Sequence, residues 1–334
     1  MFSLLSQDIQ NIIVFDLEWN QSGYNPNHRM PHEIIEIGAC RVDRAGNVVP
    51  RFSELIRPRV YQKLDKHIKQ VTGITEDELA NGKPFSDVFG DFIAWCGEDV
   101  QLVTWGRDDY PVLKRNAAFF MTPMPFEPPM DAQLIFGFCC LGGAHQQMNL
   151  HAAMEKMEIE LDAPAHRAVY DAECTAALLG KIDEALCVLP PERRMQLEAT
   201  LEKEKRIAAS ALRSLPTPYM YQTDALADQK FMGLPCPACG KRTAFDTPWF
   251  DSGREKYMAI SVCPQHGFVF GQMHFKRTPS NTLIMHQRAY PASMEDVEDV
   301  RERYRLYQLI PQKKRHHRLN MEDVVNRAVK AKES

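Results

Sequence analysis

Apolar positions in the first half of the chain fall into two textures. Short strand-like runs occupy residues 12–19, 33–42, 48–56 and 100–105; in the second, Ile35, Ile37 and Ala39 alternate with their neighbours. Patterns of helical period fill 62–71, 86–95, 109–120, 149–157 and 167–186. Gly46-Asn47 marks a hairpin between the second and third strands. Three hairpin-linked strands, followed by helices that alternate with a further strand, predict an α/β unit over 10–189 with a mixed sheet flanked by helices. Pro190-Pro191 closes it. Residues 190–225 carry dense Glu, Arg and Lys, which predicts a solvated helical linker. From 226 to 285 the texture changes to short β-like runs with turn residues, a small β module. Residues 286–334 predict a charged helical tail with a basic knot, Lys313-Lys314-Arg315-His316-His317-Arg318.

Composition narrows the class. The chain has 334 residues, 44% hydrophobic and 25% charged, as ordinary globular proteins do. A net charge of −4 means that any nucleic-acid partner must be met by a local basic patch. The best apolar run, at 134–141, is far too short for a membrane span. Residues 1–5 lack the basic leader and long apolar core of a secretory signal. Six of the nine cysteines (Cys40, Cys96, Cys139, Cys140, Cys174, Cys187) sit in apolar or helical contexts and read as reduced packing residues, which points to the cytoplasm.

The first strand holds an anomaly. Asp16 and Glu18 interrupt the apolar run Ile12-Ile13-Val14-Phe15-Asp16-Leu17-Glu18. Alternate strand residues share a face, so two carboxylates project together where desolvation and mutual repulsion penalise both. A divalent cation between them relieves that penalty. Other acids stand at element starts: Asp108-Asp109 after the turn Gly106-Arg107, and Asp171 in His166-Arg-Ala-Val-Tyr-Asp171-Ala-Glu173. A D-x-E triplet alone arises about once by chance in such a chain, and a lone histidine before a helix is usually a cap or surface residue. The combined order is far more specific.

That order resembles the DEDDh 3′→5′ exonucleases of the ribonuclease H-like fold. The first motif matches at Val14–Glu18 as VFDLE, the second at Trp105-Gly106-Arg107-Asp108-Asp109 with Leu113 following, and the third at His166-Arg167-Ala168 through Asp171-Ala172. The runs His32-Glu33-Ile34-Ile35-Glu36-Ile37-Gly38-Ala39 and Thr72-Gly73-Ile74-Thr75 tilt the match toward the branch with the histone-mRNA and small-RNA 3′ exonucleases. The sibling class has tyrosine four residues before the last acid; Arg167 stands there instead. The resemblance spans 10–186 and implies a two-cation phosphodiester hydrolase. Its Mg²⁺ or Mn²⁺ ligands would be Asp16 (bridging), Glu18, Asp109 and Asp171, with His166 as general base. Asp109 is chosen over Asp108 because Leu113 then falls one helical turn later. The resemblance also implies that Thr72, Gly73 and Ile74 approach the terminal nucleotide, and Trp19, where many members carry a small residue, is a departure that bears on how that nucleotide is seated. The plain reading of Thr72, Gly73 and Ile74 is a helix C-cap, with Lys63, Lys66, His67 and Lys69 forming a solvated face. Glu33 and Glu36 read as structural, and His28, His145 and His151 as surface or packing residues.

A second metal set is legible without any resemblance. Cys236-Pro-Ala-Cys239-Gly and Cys263-Pro-Gln-His266-Gly are matched knuckles, each C-P-x-[C/H]-G. Two-residue spacing lets both ligands of a knuckle reach one ion, and the glycine permits the tight turn. Cys₃His is a closed tetrahedral set for structural Zn²⁺, with His274 as the substitute ligand. Aromatics from Phe245 to Phe275 interleave with Lys241, Arg242, Arg254, Lys256, Lys276 and Arg277, which suits an accessory nucleic-acid grip or the core and rim of a small metal-dependent domain. The expected activity is 3′→5′ exonucleolytic release of 5′-mononucleotides from single-stranded nucleic acid, RNA before DNA. The competing expectations are a nuclease-like module that binds 3′ ends and recruits a partner through the zinc-ribbon-like β module at 226–285, and an endonuclease of the same fold.

Overall fold

The computed structural model describes residues 11–21, 30–43, 48–142, 147–160, 167–213, 217–253, 256–278 and 282–309. Among the expectations above, those at residues 1–5, His28, Gly46-Asn47, His145, His166, Arg254 and Lys313–Arg318 lie outside them. The chain forms two compact units, Met1–Arg206 and Ile207–Ser334.

In the first unit, β1 (Asn11–Asn20), β2 (Glu33–Val42) and β3 (Val48–Leu55) make an antiparallel meander. Two parallel strands, β4 (Val100–Thr104) and β5 (Met130–Asp131), extend the other side, so the order is β3-β2-β1-β4-β5. The central strand is apolar on both faces because both are covered. Ile13, Phe15 and Leu17 pack in a cluster with α3 (Phe85–Cys96) and α4 (Asp109–Phe119). Ile12 and Val14 pack with α5 (Ala132–Cys140), α6 (Leu150–Lys156) and α7 (Ala168–Cys187). Short helices α1 (Lys66–Thr72) and α2 (Glu76–Ala80) lie between β3 and α3, the second opened by a Thr75/Glu78 capping box. Buried polar side chains fix the loops between these elements. Glu33, as expected, is structural: its carboxylate accepts the N–H groups of Arg59, Val60 and Tyr61 at 2.6–2.9 Å. Asn116 on α4 accepts from Ile34 N at 3.1 Å and donates to His32 O at 2.9 Å.

The closest approach of helix to sheet is at Gly38. It pairs with Asp16 across β1 and β2, and a methyl group there would overlap the backbone of Ala168 and Val169 at the start of α7. Neither partner is a flexible side-chain end, so the overlap is not relieved by a rotamer change. Gly38→Ala is expected to destabilise the unit by about 3 kcal/mol or more. Urea denaturation checks this; a change under about 0.5 kcal/mol, the usual size for a neutral surface site, contradicts the packing.

Two boundaries differ from expectation. The helix α8 (Pro191–Ser210) runs across the division between the units, as a helical linker does, but it is not solvated on every side. Leu197 is fully buried in the first unit's core with Leu201 against it, and the Arg193 guanidinium lies 4.1 Å from the Phe138 ring centroid. Its many charges masked a narrow apolar stripe. Likewise the β module does not run from 226 to 285. β6 (Leu212–Arg213) and β7 (Thr217–Tyr219), inside the expected linker, pair with β12 (Leu283–Pro291), which crosses the expected start of the tail. The sheet order is β6-β12-β11-β10-β9-β8, built from β8 (Leu234–Pro235), β9 (Arg242–Gly253), β10 (Lys256–Cys263) and β11 (Gly267–Arg277), all antiparallel. On one face Trp249, Tyr257, Met273 and Met285 join α9 (Gln222–Ala227) through Leu226. On the other, Phe250, Ile260, Phe270 and Tyr290 meet Val297, Val300 and Tyr307 of α10 (Met294–Gln308). A core with apolar groups on both faces needs β12 and α10 to close it, so the unit extends through the expected tail as far as the described residues go. Among the described residues, no helix is long and apolar enough to cross a membrane.

Candidate active site and metal centres

Three acids of the sequence motifs, Asp16, Glu18 and Asp171, meet on the α7 side of β1. Asp16 stands opposite Gly38 and Glu18 opposite Glu36, with the ladder slipping just past Glu18. Asp171 comes down from the first turn of α7, which Gly38 admits against the sheet. Asp16, Glu18 and Asp171 each offer an oxygen within 4.8 Å of the others. Asp109, the first residue of α4, is buried, while Asp108 is exposed. It is not part of the 4.8 Å set, yet it is the strongest of the charged neighbours acting on Asp16.

The electrostatics are those of crowded, buried carboxylates. Burial first, then Asp109, Glu18 and Asp171, hold the Asp16 carboxyl well above the usual carboxylate range. Glu18 is pushed up to about 8, by burial and then by Asp171, Glu36 and Asp109, against a smaller opposing pull from Arg167. Asp109 is raised to about 7 by burial and by Asp108, against the pull of nearby backbone N–H groups including that of Leu17. Oxygen-only donors that resist ionisation in one another's presence are the ligand set of hard divalent cations, whose charge reverses the penalty. The four residues therefore fit Mg²⁺ or Mn²⁺.

One further residue shapes the site. Glu36 has a fully buried side chain and binds the Arg167 guanidinium through Nε at 3.1 Å and Nη2 at 2.9 Å; the Ala168 N–H donates to it at 3.3 Å. Glu36 thus pins the residue that follows His166 and the entry to α7. The sequence identified Glu36 as structural, but its partner lies 131 positions away and left no local signal. A strand-interior glycine was the one local hint of the close helix crossing at Gly38.

The residues expected to seat a nucleotide divide. Trp19 is half-buried at the strand slip, with its ring 5.8 Å from that of His32. The Thr72 side chain is buried, its hydroxyl donating to Ile68 O at 2.9 Å and accepting from Ile74 N at 3.2 Å. Ile74 is buried beside Ile35, Leu64 and Leu79. Gly73, at φ +70°, is the left-handed cap of α1. The helix-cap reading describes this triplet, and only Gly73 is exposed. His151 is exposed.

In the second unit, the structure brings Cys236, Cys239, Cys263 and His266 together, each ligand atom within 4.8 Å of the rest. Sulfur-to-nitrogen separations are 3.6 Å (Cys236 to His266 Nδ1) and 3.5 Å (Cys263 to His266 Nδ1), and Cys239 to Cys263 is 3.9 Å. Ligands about 2.3 Å from a tetrahedral zinc stand roughly 3.8 Å apart, so the spacing fits that ion. The turns are tight for the expected reason: Gly240 and Gly267 have φ of +70° and +79°, and Gly240 N donates to Cys236 O at 2.8 Å. Backbone N–H groups, that of Gln265 foremost, bring the Cys263 thiol down to about 6, which favours the thiolate a metal binds. His274 is elsewhere, stacked on His286.

Residues 13–179 match the model of the RNase_T family, described as exonuclease. Over 125 residues the chain is 34% identical to the "Probable 3'-5' exonuclease KapD" of Bacillus subtilis, covering 36% of this chain and 58% of that protein. Over 176 residues it is 30% identical to the PolC-type DNA polymerase III of the same organism, covering 52% of this chain and 11% of the polymerase. The chain thus spans little over half of the first relative's length and about a tenth of the second's. Among solved structures, the nuclease domain of 3'hExo, a DEDDh family member bound to rAMP, superposes with a TM-score of 0.50 at 21% identity, covering 56% of this chain and 98% of that one.

Proposed function

The chain belongs to the RNase_T exonuclease family, of the DEDDh 3′→5′ type, and on that premise we propose that it hydrolyses single-stranded nucleic acid from a free 3′ end, RNA in preference to DNA, releasing 5′-mononucleotides. The observation that carries this reading is the convergence of Asp16, Glu18 and Asp171 within 4.8 Å, with Asp109 acting on Asp16. Two divalent cations, when bound, supply an activated water and neutralise the charge that develops on the phosphate oxygens. Asp16, Glu18, Asp109 and Asp171 would hold the cations, with Asp16 central because the other three acids all act on it. His166 is the proposed proton acceptor for the attacking water. It immediately precedes Arg167, which Glu36 anchors at the entry to α7. Trp19 and the exposed backbone of Gly73 are the proposed contacts to the terminal nucleotide.

Cys236, Cys239, Cys263 and His266 are the proposed ligands of one structural zinc ion. Among the described residues all nine cysteines are free of disulfides, in keeping with the reducing cytoplasm proposed as the protein's location. The RNA preference rests on the motif resemblance, and on the ribonucleotide that the superposed nuclease domain holds.

Matched RNA and DNA oligomers labelled at the 3′ end, digested with Mg²⁺ or Mn²⁺ and then with chelator, test the reading. The expected result is cation-dependent release of mononucleotides, faster from RNA, and none from a circular strand. His166→Ala is expected to lower the rate 10²–10⁴-fold, typical of a general base. Binding of 3′ ends without turnover, or cleavage of the circle, removes the proposal in favour of a binding module or an endonuclease.

A further inference from the structure

The sheet of the second unit is covered unevenly. On one face α10 shields Phe250, Ile260, Phe270 and Tyr290. The same face then continues along β10, β11 and β12 beyond those residues. In the ladder, Gln272 stands opposite Arg288, and His274 stands between Lys256 on β10 and His286 on β12. Lys276 follows one pleat further on. Directly paired residues project to the same side of a sheet, so these groups form one surface. Lys256, His274 and Lys276 are exposed, and His286 and Arg288 half-buried.

Three features of this surface point one way. Its cations are Lys256, Lys276 and Arg288, and no acidic residue occupies its paired positions on β10, β11 or β12, although the chain as a whole carries a net charge of −4. The Arg288 guanidinium is held in place: Nε donates to Gln272 Oε1 at 2.6 Å, and the group lies 5.7 Å from the Tyr290 ring centroid. Between the cations the His274 and His286 rings stack with centroids 4.9 Å apart and planes 9° from parallel. Cations spaced around a flat ring pair suit a partner that alternates negative charge with planar groups. An acidic peptide matches the charge but not the rings.

We infer that this face of the second unit, exposed among the described residues at Lys256, His274 and Lys276, binds single-stranded nucleic acid, phosphates against Lys256, Lys276 and Arg288 and a base against the His274–His286 stack. The inference rests on the nuclease reading for its choice of ligand, and it adds a substrate contact on the unit that does not carry the carboxylates.

Fluorescence anisotropy of a labelled strand of about 20 nucleotides, titrated with the full-length Asp16→Asn protein so that the strand stays uncut, tests it. In that background K256E/K276E is expected to weaken binding at least tenfold and to flatten the dependence of log Kd on log salt by about 1.4, the value for two lost phosphate contacts on a single strand. H274A is expected to weaken binding roughly 5–10-fold with the salt slope unchanged, as loss of a stacking contact does. Far-UV circular dichroism matching the parent shows that the variants are folded. Parent-like affinity and slope in K256E/K276E overturn the inference, as does displacement of the strand by polyglutamate at equal charge. The two readings fail separately: mononucleotide release by the wild type with parent-like binding by the variants removes only this surface, whereas absence of release removes the nuclease reading.

Discussion

Asp16→Asn is expected to abolish mononucleotide release, by about 10³-fold or more, and at the same time to make the metal-free protein more stable at pH 8. Loss of rate follows from the position of Asp16. It shares its pocket with Glu18 and Asp171, Asp109 acts on it most strongly, and cation stabilisation of the transition state amounts to several kcal/mol. Gain of stability follows from the same crowding. In the fold Glu18 titrates near 8 and Asp109 near 7, and Asp16 lies well above its ordinary range, whereas in the unfolded chain all three release their protons near 4. Their stabilising hold on protons is complete below about pH 4 and is lost as the pH climbs through 7 and 8. The metal-free wild type is therefore expected to lose a few kcal/mol between pH 5 and pH 8, a fall in Tm on the order of 10 °C. Mn²⁺ restores it at pH 8. The asparagine variant lacks one of the three charges, so its thermal curve varies less with pH and responds less to Mn²⁺. A variant that keeps its rate, or a wild type equally stable at both pH values without metal, contradicts the arrangement.

Loss of the Cys₃His ion is expected to melt much of the second unit while leaving the first folded. Cys263→Ser removes a ligand that is also a buried member of the core cluster with Trp249 and Tyr257. Structural zinc binding is worth about 10–16 kcal/mol in isolated fingers. A unit of this kind, with a marginal stability on the order of 5–15 kcal/mol, does not absorb such a loss. The second cluster, beneath α10, contains no ligand and sets the limit of what survives. Calorimetry of Cys263→Ser should show one transition displaced downward by more than about 10 °C and a second unmoved, and the wild type should carry one zinc per chain by metal analysis. A single unchanged transition, or a metal-free wild type, rules out the structural role.

Much of this was legible in sequence where spacing alone fixes geometry. Asp16 and Glu18 share a face because strands alternate, and the two C-P-x-[C/H]-G knuckles converge because two-residue spacing closes them on one point. Where the outcome depends on distant partners, the chain gave little. The α8 helix shows many charges and a two-residue apolar stripe, so Leu197 was read as solvated; only the core beneath it makes that stripe a packing surface. β5 is two residues long, and α5 is apolar but for Gln133, so neither has a period to detect. The boundary at 285 failed because His286 and Arg288 break the apolar texture, although Leu283, Met285 and Ala289 keep the alternation that buries them. Thr72 and Ile74 were attributed to substrate by resemblance, and local capping chemistry took them instead. His166 lies outside the described residues, so its role remains a proposal from the motif.

The clearance at Gly38 sets a limit on how this catalytic geometry can drift. Asp16 and Asp171 stand on a strand and a helix far apart in the chain, and their alignment is gauged by one hydrogen atom where a side chain would stand. Substitutions around the carboxylates can be absorbed by exchange of one ligand type for another. A side chain at position 38 has no such remedy, since it lifts the helix and with it an entire ligand. Loss of this glycine in a homologous chain should therefore be a sharper sign of a retired enzyme than loss of any single acid.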